Sequence, residues 1–229
     1  MEVNGSFYRS HLLYPLLVFT LLAILFEVTH VDLALGDWLF NLEGGKWSLR
    51  DSFFFSTILH EGAQTLFKVI IPVFILIWGA SFYIEKLKPY RKVLLYFAII
   101  VPLCVAWTTN IGKLATHVDC PWDLIRYGGE KPYLSVFSIH PGTYAYGKCF
   151  PAGHSSIGFS LLSLYFVFLE LAPKKRFYGL AIGVIAGLLF GVTQQLRGAH
   201  FISHDLWTAG ICWLISLMSY LVIFKAEQI

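Results

Sequence analysis

The sequence predicts an all-α polytopic membrane protein with six transmembrane helices and an interfacial segment between helices one and two. Hydrophobic residues make up 57% of the 229 residues and charged residues only 14%, against roughly 25% charged in an average soluble domain. There is too little polar surface to cover so much apolar volume in water. Six mostly uncharged apolar segments, each close to the length of a membrane-spanning helix, supply the spans.

The same composition excludes several other classes of protein. Disorder requires low hydrophobicity and high charge, and four cysteines are too few for a small disulfide-rich scaffold. The formal net charge is only +3, and no tail carries a dense basic run, so we expect no nucleic-acid partner.

The six apolar segments are residues 12–26, 69–84, 93–112, 155–169, 177–196 and 206–224. The second and the fourth are short, so we expect flanking polar residues to complete them. The first lacks the small-residue cleavage site of a signal peptide and is followed by Glu27 and Val28. We therefore expect it to stay as the first span.

The segment of residues 32–65, between the first two spans, is rich in aromatic side chains: Trp38, Phe40, Trp47, Phe53, Phe54 and Phe55. Such rings are common at the level of the lipid headgroups. We interpret the segment as interfacial, either a guide that leads a lipid to a site or a simple aromatic anchor.

Dense basic clusters lie in the connections at residues 85–92 and 172–176. With an even number of spans both fall on one side, which the positive-inside rule assigns to the cytoplasm together with both termini. Residues 30–65, 113–154 and 197–205 then lie outside. We expect a bacterial inner-membrane protein whose candidate site faces the periplasm.

Four glycines recur every four residues in the fifth span: Gly179, Gly183, Gly187 and Gly191. Such a stripe lets helix backbones approach closely, and we interpret it as a packing surface. The sequence shows no internal repeat and no linker, so residues 1–229 are expected to form one membrane domain.

Ionisable residues collect at the predicted outer ends of spans three to six, where polar groups beside apolar helices are usually functional. Lys113, Arg126 and Arg197 are anion-binding cations. Gly153 precedes a helix start, whose backbone amides suit a phosphate. This set predicts a phosphate site.

Two histidines beside that site suggest phosphoryl transfer. The two histidines are His154 and His200. Either one could attack phosphorus while the other protonates the leaving oxygen. A nucleophilic imidazole needs an acceptor on its other nitrogen, which Asp205 could supply. Such a site would need neither a metal ion nor a cofactor.

Plainer interpretations exist for each residue. Lys113 could be an interfacial lysine, Arg126 a solvated loop residue and His154 a helix cap, whereas His200 and His204 could bind a metal ion. The sequence has no phosphate loop, zinc-protease or nucleophile-elbow motif. A transporter would be expected to show paired broken helices or an inverted repeat, and neither is evident.

The order of these residues resembles the phosphatidic acid phosphatase type 2 (PAP2) superfamily of membrane lipid phosphatases. Its motifs are Lys-x6-Arg-Pro, Pro-Ser-Gly-His and Ser-Arg-x5-His-x3-Asp. Here they appear as Lys113-x6-Cys120-Pro121, as Pro151-Ala152-Gly153-His154 and within residues 194–205. The resemblance covers about residues 66–224.

The resemblance implies a nucleophile, His200, that forms a phosphohistidine, and a general acid, His154. It also implies that Asp205 orients His200. The implied phosphate-binding groups are Lys113, Arg197 and the amide of Gly153.

The chain departs from the family pattern in all three motifs: Cys120 and Gln194 stand where the family has arginine, and Ala152 where it has serine. Arg197 lies one helical turn after Gln194 and would share its face. We therefore expect Arg197 to supply the missing guanidinium in the third motif and Arg126 to replace the one in the first.

The orienting partner of His200 is the other point of departure. Four residues after His200 stands His204, and Asp205 is one residue further. Either could orient His200, and we favour the carboxylate because it better stabilises an imidazolium.

Cys120 and Cys149 lie in the same predicted outer loop, one beside each of the first two motifs. In an oxidising periplasm they are expected to form a disulfide, which would close a loop of about 30 residues and restrict the unfolded chain. Two free thiols are the alternative.

The predicted activity is therefore metal-independent hydrolysis of a lipid phosphate or diphosphate in the membrane. A lipid phosphotransferase that uses the same phosphohistidine, and a non-enzymatic anion-binding or transport protein, remain open alternatives. The expected partners are the lipid phosphate substrate and membrane lipids, without an obligatory protein partner.

Overall fold

The structure, a computed structural model, describes residues 3–139 and 141–226. Within those ranges the chain is helical, and the only β-type pairing is an isolated bridge between Leu124 and Lys131. We number the helices α1 (Gly5–Thr29), α2 (Val31–Leu42), α3 (Gly62–Ala80), α4 (Arg91–Ala106), α5 (Ser155–Leu171), α6 (Arg176–Leu196) and α7 (Ile202–Lys225). The all-α fold class is confirmed.

Within the described residues, four helical stretches are long and apolar enough to cross a membrane: Gly5–Thr29, Glu85–Asp123, Pro173–Leu196 and Ile202–Lys225. They coincide with the predicted spans one, three, five and six. At the second and fourth predicted spans the structure has shorter apolar helices, Phe67–Ala80 and Ser155–Leu171. The helices are compatible with an integral membrane protein, and the full count of six spans stays a prediction.

The core lies where α4, α5 and α7 meet. Its most completely buried side chains include Tyr96, Ile100, Phe166, Leu217 and Tyr220. The Tyr96 hydroxyl donates to the carbonyl of Ser216 at 2.9 Å, so the polar end of this ring is satisfied. The core fixes the three helices whose ends carry the predicted motifs.

Three glycines of the α6 stripe, Gly179, Gly183 and Gly187, pack against α5, and the fourth, Gly191, faces Asp205 of α7. A Cβ atom added at Gly183 would lie 2.4 Å from the backbone nitrogen of Leu162, and one at Gly179 would lie 2.5 Å from the carbonyl carbon of Leu164. Non-bonded atoms do not approach this closely, so glycine is what allows the two helices to pack backbone to backbone. The stripe is a packing surface, as predicted.

The segment between α1 and α3 is packed onto the connection between α6 and α7. The buried Asp32 carboxylate, in the first turn of α2, accepts hydrogen bonds from the backbone nitrogen and the hydroxyl of Ser203, at 2.9 and 2.5 Å. After α2, the Trp47 ring lies 2.4 Å from where Gly198 would carry a Cβ atom. The predicted role of this segment as a lipid guide or an aromatic anchor stays a prediction.

Residues 117–154 form the long connection that leads into α5. The backbone nitrogen of Cys149 donates to the carbonyl of Val118 at 2.9 Å, and that of Trp122 donates to the carbonyl of Gly198 at 3.0 Å. The connection therefore joins the end of α4, the start of α5 and the turn between α6 and α7.

Candidate active site

Lys113 lies where α4 continues beyond a π-helical segment, Trp107–Gly112, a kind of helix irregularity that is frequent at functional sites. Its Nζ lies 3.7 Å from the position that a Cβ atom would take on Gly153. A Cβ atom on Gly112 would lie 2.4 Å from the Pro151 ring. The two glycines thus allow the lysine of the first motif to lie against the backbone of the second.

The turn that opens α5 is held by its own serine side chains. The hydroxyls of Ser155 and Ser156 donate to the carbonyls of Ala152 and Gly153, at 3.1 and 2.6 Å. The first amides of a helix have no partner within it, and the helix dipole favours an anion beside them. Together with Lys113, this turn can bind an oxyanion such as phosphate.

The imidazole of His154 contacts Gln64, a residue of α3 that the sequence analysis did not select. The Nε2 atoms of the two side chains lie 2.6 Å apart. A glutamine amide can present either its NH2 group or its oxygen, so it can serve a neutral or a protonated imidazole. The available signal was an amide side chain at the start of an otherwise apolar helix.

His200 is buried in the connection between α6 and α7, where 5% of its surface is exposed. Its Nδ1 lies 3.4 Å from the Nδ1 of His204. Burial lowers the pKa of His200 well below its usual value, and the charges of His204, Lys113 and His154 lower it further. The ring is therefore neutral at neutral pH, the form that a nucleophile requires.

Asp205 has partners other than His200. Its Oδ2 accepts a hydrogen bond from the Gln195 side chain at 2.6 Å, and a Cβ atom on Gly191 would lie 2.6 Å from the same oxygen. The ring beside His200 is that of His204, four residues along the chain. Which of the two residues orients His200 stays a prediction, and the contact with His204 makes it the candidate that the structure places beside the ring.

Arg197 ends α6 with a largely buried side chain. Its Nη1 donates to Gln194 Oε1 at 3.1 Å, and its Nε donates to the carbonyl of Arg50 at 2.9 Å. Gln194 and Arg197 thus share one helix face, as their spacing predicted. The role of Arg197 in phosphate binding stays a prediction.

Arg126 is held by a carboxylate. Its Nε and Nη2 donate to the two carboxylate oxygens of Asp37 on α2, at 2.6 and 2.5 Å, and this pairing lowers the pKa of Asp37. The pairing with Asp37 ties the connection that carries Arg126 to α2. The expected role of Arg126 in phosphate binding stays a prediction.

Cys120 and Cys149 are joined by a disulfide, with their Cα atoms 5.2 Å apart, inside the usual range for a bridged pair. The backbone of Cys149 lies close enough to the rings of His200 and His204 to affect their charged forms. The bridge therefore fixes a segment that lies beside both imidazoles.

A metal site finds no support in the part of the chain that the structure describes. There, no cluster of three or more histidine, cysteine, aspartate or glutamate side chains could hold a metal ion. His200 and His204 are thus a pair of rings and not part of a larger ligand set.

Two further supporting residues were not predicted from the sequence, Asp32 and Gln195. Both act through partners in other elements, Ser203 and Asp205. Neither lies in a recognisable motif, and the signal in each case is only a polar side chain that becomes buried in the fold.

Comparison with known proteins gives one match. A family model described as the PAP2 superfamily matches residues 91–228, a range that contains α4 to α7 with Lys113, His154 and His200, whereas Asp32 and Gln64 lie before it. No curated protein and no solved structure matches the chain.

Proposed function

Because the chain belongs to the PAP2 superfamily, we propose that it is an integral membrane phosphatase that hydrolyses a lipid phosphate or diphosphate through a phosphohistidine. Family membership supports phosphatase activity, and the long apolar helices are compatible with a membrane. The observation that carries the proposal is the convergence of Lys113, His154 and His200 from three different elements.

In the first step, Nε2 of His200 attacks phosphorus and the bond between phosphorus and the leaving oxygen breaks. His154 donates a proton to that oxygen. Lys113 and the amides at the start of α5 hold the remaining phosphate oxygens and stabilise their charge. The contact of His204 with Nδ1 of His200 leaves Nε2 available for the attack.

In the second step, His154 accepts a proton from water while the water oxygen attacks phosphorus. The phosphorus–nitrogen bond breaks, phosphate leaves, and His200 returns to its neutral form. Gln64 can accommodate both states of His154, because its amide offers an acceptor to the protonated ring and a donor to the neutral one. Neither step calls for a metal ion or a cofactor.

A lipid substrate fits the placement of these residues. Lys113 continues a long apolar helix, and His204 lies in the first turn of another. A phosphate at this level is within reach of a lipid whose chains remain in the bilayer, whereas the chains of such a substrate would be costly to expose to water.

We assign the site to the periplasmic face of the inner membrane and both termini to the cytoplasm. The basic residues 85–92 and 172–176 lie at the opposite ends of α4, α5 and α6 from the site, which agrees with the positive-inside rule. The disulfide between Cys120 and Cys149 favours an oxidising compartment on the side of the site.

The test is phosphate release by the purified full chain from phosphatidic acid, phosphatidylglycerol phosphate and a polyprenyl diphosphate. We expect turnover in the presence of a chelator, inhibition by vanadate, and loss of turnover in His200→Ala. Brief incubation with phosphorus-labelled substrate followed by denaturation in alkali should trap a phosphohistidine in the wild type and none in His200→Ala.

A matched histidine substitution serves as the control. His117 has a left-handed backbone conformation, which asparagine tolerates, and its ring stacks on Tyr146. His117→Asn should therefore keep its activity. Wild-type turnover by His200→Ala would overturn the mechanism, and failure of the wild type on the whole panel would overturn the lipid phosphatase proposal.

A further inference from the structure

A second cleft lies on the membrane face opposite the candidate site. It has a volume of about 500 Å³ and is lined by the start of α4 and the residues before it, the end of α5 and the end of α7: Lys88, Pro89, Arg91, Lys92, Val93, Glu170, Leu171 and Phe224. We propose that this cleft binds the headgroup of an anionic membrane phospholipid, independently of the phosphatase site.

The rim of the cleft is cationic. Lys88 and Lys92 are exposed, and Arg91 is fixed in place because its Nη2 donates to the carbonyl of Ser81 at 2.7 Å. The guanidinium also lies over the Phe82 ring, 4.2 Å from its centroid. An arginine that is already positioned loses little freedom when it binds a phosphate.

The acidic residues nearby do not cancel this charge. Among the lining residues that the structure describes, Glu170 is the only carboxylate, and it lies 2.7 Å from the buried Lys225 and accepts a hydrogen bond from Tyr220. Glu85 pairs with Lys88, but its side chain is 80% exposed, so water and salt screen that pairing. The cleft therefore keeps a net positive charge.

The remaining lining is apolar, with Val93, Leu171 and Phe224 beside the cations. A free phosphate would gain nothing from these side chains, whereas a phospholipid can place its acyl region against them and its phosphate against the rim. The cationic rim thus matches the phosphate of a phospholipid, and the apolar lining matches its acyl chains. This match favours a lipid over a soluble anion.

The position of Arg91 at the start of α4 places the cleft at a membrane surface. Arg91 and Lys113 lie at opposite ends of α4 and its continuation, and at 1.5 Å per residue they are roughly 33 Å apart. This matches a hydrocarbon core about 30 Å thick. A lipid bound in the cleft would therefore sit in the leaflet opposite the phosphatase site.

The test is a lipid titration of the detergent-purified full chain followed by native mass spectrometry. Phosphatidylglycerol is the anionic probe, because it is a phosphodiester and not a phosphomonoester substrate, and phosphatidylcholine is the zwitterionic comparison. Each basic residue near an anionic headgroup strengthens lipid binding. The double variant Lys88→Gln, Lys92→Gln should therefore bind phosphatidylglycerol about tenfold or more weakly than the wild type. Lys92→Gln alone should give an intermediate loss.

The matched control carries the same charge change on the same face. Lys174 and Lys175 are exposed in the connection between α5 and α6 and do not line the cleft, so Lys174→Gln with Lys175→Gln should change binding less than twofold. An equal loss in both double variants, equal binding of the two lipids by the wild type, or displacement of phosphatidylglycerol by millimolar inorganic phosphate would overturn the proposal. None of these readouts depends on phosphatase activity.

Discussion

His200 and His204 bring their Nδ1 atoms to 3.4 Å from each other in a buried part of the site. One proton can lie between the two nitrogens. When His200 carries that proton on Nδ1, its Nε2 is unprotonated and can act as the nucleophile, and the imidazole partner adds no negative charge. A carboxylate in the same place would also stabilise the charge that develops on the ring during attack.

The first prediction concerns the positioning role of His204. His204→Phe removes the partner of Nδ1 and should lower kcat by about 10²-fold, with KM little changed because His204 does not bind the phosphate. His204→Asn can still present an amide oxygen to Nδ1 and should recover part of that loss. Steady-state kinetics with one lipid phosphate would measure both.

A role for His204 in packing alone would predict a different pattern. The His204 ring packs edge-on against Phe150, so Phe would be the better tolerated substitution if packing were decisive. Higher kcat in His204→Phe than in His204→Asn would contradict the positioning role.

A second prediction concerns Gln64 and the proton that His154 transfers. Gln64→Leu removes a hydrogen-bonding partner of His154 and should slow hydrolysis of alkyl phosphates, whose leaving oxygen needs that proton, by about tenfold or more. Hydrolysis of an aryl phosphate such as p-nitrophenyl phosphate should change much less, because its leaving group is stable as an anion. The measurement is kcat/KM for both substrates.

Thr65→Val is the control for Gln64, because Thr65 is exposed and adjacent on the same helix. It should slow neither substrate. An equal loss of rate on both substrates in Gln64→Leu would mean that the variant disturbs the fold or phosphate binding, and would contradict a role in proton transfer.

The helices and the three motif segments could be predicted from the sequence because both depend on local patterns. Apolar runs mark helices in lipid, and the motif residues lie within a few positions of one another. The partners of Arg126 and of Asp205 could not be predicted in this way, since Asp37 and Gln195 lie on other elements. Only the packing of α2 and α6 shows which polar groups become neighbours.

The neighbour of His200 also could not be predicted from the sequence, although the two candidates, His204 and Asp205, are adjacent in the chain. Chemical reasoning favours a carboxylate beside a nucleophilic histidine, but the start of α7 turns Asp205 towards α6, where Gly191 leaves room for it. The sequence alone does not show which of the two adjacent residues faces His200, and the structure places His204 beside it.

Gly191 supplies a third prediction. Gly191→Ala places a methyl group 2.6 Å from the Asp205 carboxylate, which must shift and lose its bond to Gln195. We expect a loss of stability of about 1–3 kcal/mol from overpacking at a buried site, seen as earlier thermal unfolding in detergent. Gly79→Ala is the control, because a Cβ atom there meets nothing within 4 Å; equal unfolding temperatures for the two variants would contradict the prediction.

The disulfide supplies a fourth prediction. Cys120→Ser with Cys149→Ser should lower the free energy of unfolding by about 2–4 kcal/mol and reduce activity, because the bridge holds the Cys149 backbone beside His200 and His204. A reducing agent should have the same effect on the wild type and no further effect on the double variant. Full activity of the double variant at a temperature where it stays folded would contradict the coupling to the histidines.

The last prediction concerns pH and follows from the lowered pKa of His200. Activity needs the neutral ring, and because burial holds the pKa of His200 well below its usual value of 6.5, the loss of activity caused by its protonation should begin well below pH 6.5. The free energy of unfolding is expected to change with pH in the same direction as the activity. Below pH 6.5 the unfolded chain takes up a proton at this position and the folded chain does not, so stability falls as the pH falls.

His200→Gln isolates this contribution, since glutamine does not titrate. Between about pH 6.5 and 5 the wild type should lose stability faster than His200→Gln, by up to about 1.4 kcal/mol per pH unit for a single group. The measurement is unfolding in detergent at several pH values. Parallel curves for wild type and His200→Gln would mean that His200 takes up its proton in the folded protein as readily as in the unfolded chain, and that it is not held neutral for attack.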